Sequence, residues 1–308
     1  MTSIAPIEAG DRADSAIAGP PASTVRRWRR LEDALFVVPT WIFMLVVGVV
    51  PAGLAVWLSV TDQSLTSGTG DFVGLQNFML AVFTPRFMGS LLVTLVFVVL
   101  GLIVQFVLGY LLAVALHRQL RGFQIARTVL LIPMLLTPVV VGLVWNFMFN
   151  PDLGIIGSIV SLFGGSVNFF ANANLAIGVI VLIDSWMFTP FVMLMLVAGM
   201  TGISDDVRHA ASLDGANWWE QTRYIILPML KPVITVTLIV RCVDIVRLFD
   251  TIYTTTKGGP GTATSTVSLI SYATTFQYYD FGQGAAMAIA LTVVMFPVYF
   301  FYIRMTQV

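Results

Sequence analysis

Six apolar stretches, each long enough to cross a lipid bilayer, constrain this chain more than any other feature of its sequence. They cover residues 34–60, 88–116, 126–149, 175–199, 232–254 and 284–303. A helix needs roughly 20 residues to cross the hydrocarbon core. Only 10% of the residues are charged and 57% are hydrophobic, which leaves too little charge to cover the surface of a soluble domain. The sequence therefore predicts an all-α, polytopic membrane protein with six transmembrane helices.

The six stretches must be helical, because lipid offers no hydrogen-bond partners to free backbone groups. A β-barrel would need short alternating strands, and these runs are continuously apolar. Residues 1–33 are polar and have no apolar period, so they predict a disordered cytoplasmic tail. The first apolar run is too long for a signal peptide, which favours an uncleaved first span. We therefore expect one transmembrane domain over residues 34–308.

The distribution of lysine and arginine predicts the orientation of the chain. If the N-terminus lies in the cytoplasm, the inner segments hold twelve of these residues, and the outer loops hold only Arg86 and Lys257. Positive residues concentrate on the cytoplasmic side of membrane proteins. Both termini are therefore expected in the cytoplasm, together with the loop 200–231, and the protein is expected in the cell membrane as a multi-pass protein.

Several classes of chemistry are excluded by what the sequence lacks. Cys242 is the only cysteine, and His117 and His209 lie far apart without a ligand motif, so no metal site is expected. A formal net charge of zero argues against nucleic acid as a partner. The chain has no Gly-x-x-x-x-Gly-Lys-Ser/Thr motif and no nucleophile, base and acid set. We therefore do not expect it to hydrolyse ATP or to be an enzyme.

The cytoplasmic loop 200–231 carries signals for two short helices. Ser204 followed by two acids starts the first helix, and Gly215 ends it. Asn217 with Glu220 resembles a capping box for the second, which we expect Pro228 and a second proline four residues later to end. The small apolar stripe of the loop suits docking into a groove on another protein. An amphipathic loop lying on the lipid headgroups is the alternative.

The predicted span 232–254 contains Arg241, Asp244, Arg247 and Asp250, spaced by three with alternating sign. Each charge facing lipid at mid-depth would cost about 2.5–3.5 kcal/mol. The four charges must therefore face protein or a water-filled cavity, and each arginine can pair with an adjacent aspartate. They are either ion pairs that pack helices or part of a translocation pathway or its gate. Weaker candidates for the same cavity are Asp184, Trp186, Trp145 and Asn146.

The cytoplasmic loop also carries a resemblance to a known family. Its sequence is similar to the EAA loop of ABC importer permeases, in which Glu-Ala-Ala is followed by a glycine and later by Ile-x-Leu-Pro. The residues that carry the likeness are His209, Ala210, Ala211, Asp214, Gly215, Ala216, Ile225, Leu227 and Pro228. His209 stands where the family has glutamate, and a histidine cannot form that acid's ion pair with a basic residue of the ATPase. The resemblance implies that this loop docks in a cleft of an ATPase subunit.

Further elements resemble the sugar-type branch of the same family. They are the Phe249-Asp250 pair, the turn Gly258-Gly259-Pro260 and the run from Phe281 to Ala286. The resemblance implies the MetI-like permease fold, with six helices and a pathway for a sugar, a polyol or a glycerol-phosphate compound. It implies partners as well: a second permease subunit, two ATPase subunits that bind ATP and Mg, and an extracellular binding protein, free or anchored as a lipoprotein. The outer turn Gly258-Gly259-Pro260 would then meet the binding protein.

Three functions remain open at this stage. The first is the permease subunit of an ATP-driven importer in a bacterial inner membrane, without a cofactor in this chain. The second is a self-contained secondary transporter, which usually has more spans or paired broken helices in related halves. The third is a structural membrane protein, which would explain neither the cytoplasmic loop nor the charged span.

Overall fold

The computed structural model describes residues 37–65, 69–117, 123–163, 165 and 167–306. The tail predicted over 1–33 lies outside the described residues, as do the first three residues of the predicted span 34–60. Arg118 and Arg121, two of the basic residues used to orient the chain, also lie outside them. The chain divides into two compact units, Met1–Leu54 and Ala55–Val308. The packing described below is that of the second unit.

Helices make up almost all of the regular structure in the described residues, where β-structure is limited to isolated bridges between Thr61 and Phe72 and between Ser64 and Asp280. The helices are α1 (Val37–Ser59), α2 (Gln76–Ala81), α3 (Pro85–His117), α4 (Phe123–Leu131), α5 (Pro138–Met148), α6 (Ile155–Leu162), α7 (Ala173–Thr201), α8 (Asp205–Leu213), α9 (Trp218–Gln221), α10 (Leu227–Val246), α11 (Asp250–Thr255), α12 (Val267–Tyr272) and α13 (Phe281–Thr306). The predicted helical class is therefore confirmed.

The predicted six spans are not confirmed by the helices of the described residues. Within the described residues, four helical stretches are long and apolar enough to cross a membrane, and a bent pair of helices raises the number to five. The four stretches are Val37–Ser59, Pro85–Leu116, Ala173–Thr201 and Trp218–Thr255. The stretch predicted over 284–303 lies in α13, whose apolar part, Phe281–Pro297, is shorter than the others.

The bent pair lies where we predicted a single span over 126–149. Helix α4 runs into a 3₁₀ turn, Ile132–Leu135, and α5 then leaves at 98° to it. Pro133 and Pro138 cause the bend, because proline lacks an N–H and disfavours helical geometry in the residue before it. Thr137 accordingly has extended backbone angles, with φ −70° and ψ 128°.

Helices α3 and α7 form the centre of the second unit and have the most extensive contact of any pair of helices. Gly109 allows them to approach closely, since a Cβ atom there would lie 2.8 Å from Cγ1 of Val192. Small residues permit this kind of packing between membrane helices. A buried cluster that includes Met193, Met200 and Leu230 extends this contact. Leu230 belongs to α10, so α10 packs against the same pair of helices.

The charged span is interrupted between α10 and α11. Helix α10 ends at Val246, and Phe249 has non-helical angles, with φ −130° and ψ −57°. Two hydroxyl groups near the start of α12 satisfy the carbonyl groups that the break exposes. Thr266 Oγ1 donates to the Leu248 carbonyl at 3.0 Å, and Ser268 Oγ donates to the Val246 carbonyl at 3.3 Å. The break can therefore exist inside an apolar bundle.

We predict that Gly109→Val lowers the melting temperature of the detergent-solubilised protein, because the added side chain would overlap Val192. Overpacking of this kind costs about 1–3 kcal/mol. Gly178→Val is the matched control: Gly178 lies in α7, and its added Cβ would meet nothing within 4 Å. Equal melting temperatures for the two variants would contradict the close approach of α3 and α7.

Candidate functional site

Arg241 is the centre of a buried polar network that joins three helices. Its side chain is only 1% exposed. Its guanidinium nitrogens donate to Gln105 Oε1 of α3 at 2.8 Å, to Asp184 Oδ2 of α7 at 3.1 Å and to Asp244 Oδ2 of α10 at 3.2 Å. Gln105 Nε2 also donates to Asp184 Oδ2, at 2.6 Å. The network therefore fixes α3, α7 and α10 relative to one another.

The ring of Phe188 completes this network on one side. The Arg241 guanidinium carbon lies 4.1 Å from the centroid of that ring, which is within the range of an attractive cation–π contact. The guanidinium is thus covered by an aromatic ring and bonded by three side chains. A buried charge with this many partners is stable, whereas removal of one partner from a buried ion pair costs about 3–5 kcal/mol.

A cavity of about 230 Å³ opens beside the network, and we call it the charged pocket. It is lined by Pro138, Asp184, Phe188, Arg241, Asp244, Arg247, Leu248, Phe249, Asp250 and Thr251. All four charges predicted from the span 232–254 contribute to its wall, together with Asp184. The interruption between α10 and α11 also lies in this wall, and irregular backbone at membrane depth is tolerated where it lines a cavity.

The four charges of the span do not form the continuous series of ion pairs that their spacing suggests. The pair between Arg241 and Asp244 is confirmed. Arg247 and Asp250 make no ion pair within the part of the chain that the structure describes. Arg247 caps the end of α10, and Asp250 begins α11. Because the helix stops between them, three residues of separation do not bring their side chains together.

Trp145, Asn146 and Trp186 lie at a neighbouring contact rather than in the lining of the charged pocket. The rings of Trp145 and Trp186 meet edge to face, with centroids 5.6 Å apart. Asn146 Nδ2 donates to the carbonyl groups of Thr254 and Thr255, at 3.1 and 2.8 Å. These side chains hold α5 against α7 and α11, so they brace the helices that carry the pocket.

Sequence reasoning did not identify Gln105 or Phe188 as members of the site. Gln105 gave a usable signal, because it is the one amide side chain in the apolar run 88–116 and a buried amide requires partners. Phe188 gave none, since phenylalanine is common throughout these spans. Its contact with Arg241 depends on how α7 and α10 pack, which local sequence does not specify.

The loop 200–231 contains the predicted pair of short helices, in the segment 204–228, which we call the coupling segment. Ser204 precedes α8 and Gly215 follows it with φ +79°, a conformation that favours glycine. The predicted capping box is confirmed: the Asn217 side chain accepts from Trp219 N and Glu220 N, and Glu220 Oε2 accepts from Asn217 N. Gln221 Nε2 of α9 ties the two helices together by donating to Ser212 Oγ of α8 at 3.1 Å, and it also donates to the Ala216 carbonyl of the linker at 2.9 Å.

The predicted end of the second helix at Pro228 is wrong. The chain continues from α9 through a π-turn, Thr222–Ile226, directly into α10. Pro228 lies in the first turn of α10, downstream of that π-turn. A π-turn widens the helix locally, so the missing N–H and the bulk of the proline ring are accommodated without a break.

The predicted coupling residues mostly lie on the surface of this segment. Ala211 is buried, Ala216 and Ile225 are half-buried, and the others are exposed: His209, Ala210, Asp214, Gly215, Leu227 and Pro228. Large apolar side chains are also exposed there, including Leu213 at 89%. A shallow cavity of about 400 Å³ lies beside Gly215 and Tyr224. The segment therefore presents an apolar surface that this unit of the chain does not cover.

The turn Gly258-Gly259-Pro260, predicted to lie outside the cell, is held by hydrogen bonds and close contacts within the chain. Gly258 has φ +94°, and a Cβ atom there would lie 2.4 Å from Ser265 Oγ. Thr264 Oγ1 donates to the Gly259 carbonyl at 2.8 Å. Gly258 is buried, whereas Gly259 and Pro260 are half-exposed. The turn therefore has a fixed shape and presents its second and third residues at the surface.

Comparison with known proteins places these features in one family. The family model described as "Binding-protein-dependent transport system inner membrane component" matches residues 105–307. The trehalose/maltose transport system permease protein MalF of Thermococcus litoralis is 34% identical over 274 residues, which cover 88% of this chain and 92% of the relative. The sn-glycerol-3-phosphate transport system permease protein UgpA of Agrobacterium fabrum is 32% identical over 276 residues, covering 89% and 94%.

A solved structure has the same fold. It is the crystal structure of a bacterial ABC transporter involved in the import of the acidic polysaccharide alginate, one chain of which superposes with a TM-score of 0.78. The superposition covers 92% of this chain and 98% of that chain, at 20% sequence identity. The family model matches most of the chain, and permease proteins more than 30% identical to it match over most of its length. These two findings identify the family. The chain belongs to the family of binding-protein-dependent transport system inner membrane components.

Proposed function

We propose that this chain is the permease subunit of an ATP-driven importer and forms part of the translocation pathway for a sugar or a related compound. Its relatives are named as permeases for trehalose and maltose and for glycerol 3-phosphate. The observation that carries the proposal is the charged pocket, in which five ionisable side chains surround a cavity inside an apolar helix bundle. Ionisable groups at membrane depth mark substrate pathways more often than they serve packing alone.

The interrupted helix supports a role of the pocket in transport. Discontinuous helices with unwound backbone form the substrate sites of many transporters, and here Arg247, Leu248 and Phe249 form the interruption and line the cavity. Arg241 and Asp184 hold the wall behind it. We infer that the network gives the pocket a fixed wall, while Arg247 and Asp250 provide groups free to meet the transported compound.

We propose six crossings, with both termini in the cytoplasm. The bent pair of α4 and α5 would form one crossing. Helix α13 would form the last, since its 26 residues span about 39 Å at 1.5 Å per residue. The excess of lysine and arginine in the inner segments supports this orientation. The protein would then lie in a bacterial inner membrane.

The coupling segment would dock on a separate ATPase subunit, which would bind ATP and Mg. Its exposed apolar side chains and small residues suit a groove on another protein. Helix α7 enters the segment and α10 leaves it, and these helices carry Asp184 and Arg241. Movement of the segment would therefore reach the pocket by rigid-body rotation of these two helices. His209 would lie at this contact in place of the family's glutamate, so the contact would lack that residue's carboxylate.

Two further partners complete the proposed assembly. A second, similar permease subunit would close the pathway, because the charged pocket opens from the surface of this chain rather than forming an enclosed channel. An extracellular binding protein would deliver the substrate to the outer turn, where Gly259 and Pro260 are accessible. The family description names a binding protein as a requirement of the system.

The proposal predicts that the chain co-purifies with an ATPase and that uptake into proteoliposomes requires ATP.

Gly215→Val should reduce uptake strongly, because a β-branched residue is strained at φ +79° by roughly 1–2 kcal/mol. Gly215→Asn is the matched control, since asparagine tolerates this conformation and no atom lies within 4 Å of the added Cβ. Uptake that runs on an ion gradient without an ATPase would instead establish a secondary transporter.

A second prediction separates packing from transport at the buried ion pair. Asp184→Asn should lower the thermal stability substantially, because it leaves Arg241 with fewer compensating charges, and such losses cost about 3–5 kcal/mol. The triple variant Asp184→Leu, Arg241→Met and Gln105→Leu should recover much of that stability, because it removes both charges and the buried amide that bonds only to them. We expect the stable triple variant to remain defective in uptake. Normal uptake by the triple variant would assign the network to packing alone.

A further inference from the structure

Helix α6 and the residues beside it carry an apolar surface that the rest of the second unit leaves uncovered. Five large apolar side chains of the segment 153–163 are between 50% and 88% exposed: Leu153, Ile155, Ile159, Leu162 and Phe163. Ile155, Ile159 and Leu162 are four and three residues apart, which places them on one face of the helix. An exposed apolar patch of this kind marks a contact with protein or with lipid.

The segment that contains α6 has no charge. No Asp, Glu, Lys or Arg lies between Asp152 and Asp184 in the sequence. Both hydroxyl groups of α6 are satisfied by the helix backbone, since Ser158 Oγ donates to the Gly154 carbonyl at 2.9 Å and Ser161 Oγ donates to the Ser158 carbonyl at 2.7 Å. The side chains of α6 therefore need no water as a hydrogen-bond partner, as a lipid environment requires.

Close contacts hold α6 against the end of α5. Asn150 Oδ1 accepts a hydrogen bond from Leu153 N at 3.0 Å. A Cβ atom on Gly154 would lie 2.6 Å from the Asn150 carbonyl oxygen, and a Cβ atom on Gly157 would lie 2.8 Å from Cα of Pro151. The two glycines thus allow the helix to fold back tightly on the preceding turn. The apolar face of α6 is therefore a surface of fixed orientation relative to α5.

The length of α6 and its place in the chain favour lipid as the occupant of this surface. Its 8 residues span about 12 Å, whereas a crossing needs roughly 20 residues, so a short apolar helix next to a span suits the membrane interface. The preceding helix α5 exposes Leu143, Val144 and Phe147, so apolar surface is exposed on both sides of the turn at Asn150.

A second permease subunit is the competing occupant. That subunit would close the charged pocket, which α5 lines with its first residue, Pro138. Helix α6 follows the opposite end of α5, about 16 Å away along its 11 residues. The apolar face of α6 is therefore separated along α5 from the opening that a second subunit would cover.

We propose that α6 lies in the outer lipid interface of the membrane, with its exposed apolar side chains among the phospholipid headgroups and upper acyl chains. Interfacial helices bury their apolar face about 5–10 Å into this layer. The contact would fix the depth of α5, which is too short to cross the bilayer and lies at 98° to α4. This role rests on the proposed crossings and orientation, and it adds a lipid contact that holds Trp145 and Asn146 of α5 in place.

Fluorescence quenching in proteoliposomes that contain the permease–ATPase complex tests the proposal. Leu162→Cys and Ile159→Cys, each in a Cys242→Ser background, would be labelled with an environment-sensitive fluorophore. We expect emission at short wavelength, with stronger quenching by phospholipids brominated near the glycerol end of the chains than by those brominated near the methyl end. Thr262→Cys, an exposed position between α11 and α12, is the control. It should emit at longer wavelength and be quenched by aqueous iodide.

Three results would overturn the inference. Quenching of both α6 probes by iodide and not by brominated lipid would place them in water. Short-wavelength emission that neither reagent quenches would show that a protein subunit covers the helix. Stronger quenching by the lipids brominated near the methyl end would place α6 deep in the bilayer. ATP-driven uptake by each labelled variant verifies that the complex is assembled, whereas failure of such uptake in the wild type would refute the proposed function and leave the quenching result unchanged.

Discussion

A charge inside an apolar helix bundle must find partners, and the structure of this chain is organised around one such charge. Arg241 binds side chains from α3, α7 and α10, so a single guanidinium fixes the relative positions of three long helices. The same requirement applies to the backbone. The carbonyl groups freed between α10 and α11 accept hydrogen bonds from the hydroxyl groups of Thr266 and Ser268. These bonds allow the helix to be interrupted where it lines the pocket.

This arrangement connects the charged pocket to the coupling segment through two helices. Asp184 lies in the helix that enters the coupling segment, and Arg241 lies in the helix that leaves it. Met200, Ile203, Ile226 and Leu230 pack at the junction in one buried cluster. Because packed interiors deform little, displacement of the segment would move these helices as rigid bodies and would change the wall of the pocket. The proposed coupling between the segment and the pocket rests on this connection.

Features governed by local sequence could be predicted, and features governed by packing could not. The helix start at Ser204, the helix end at Gly215 and the Asn217 capping box depend on neighbouring residues and were predicted correctly. The prediction that the four charges of the span 232–254 face protein or a cavity followed from the cost of placing ions in lipid, and all four line the charged pocket. The partners of Arg241 were missed in part, because Gln105 and Phe188 lie far away in sequence. The bend at Pro133 and Pro138 was also missed, since proline is tolerated in many membrane helices.

The central claim is that the charged pocket lies on the transport pathway and changes its accessibility during the ATP cycle. Cys242 is the only cysteine, so Cys242→Ser provides a background for Arg247→Cys, which places a thiol in the pocket wall. The most direct measurement is the rate at which a membrane-impermeant thiol reagent labels this cysteine in the complex, without nucleotide and with ATP trapped. The account predicts a clear change in rate between the two states. Asp152→Cys in the same background should show no change, because Asp152 is an exposed residue of the loop between α5 and α6, outside the pocket lining. Equal labelling of Arg247→Cys in both states would contradict it.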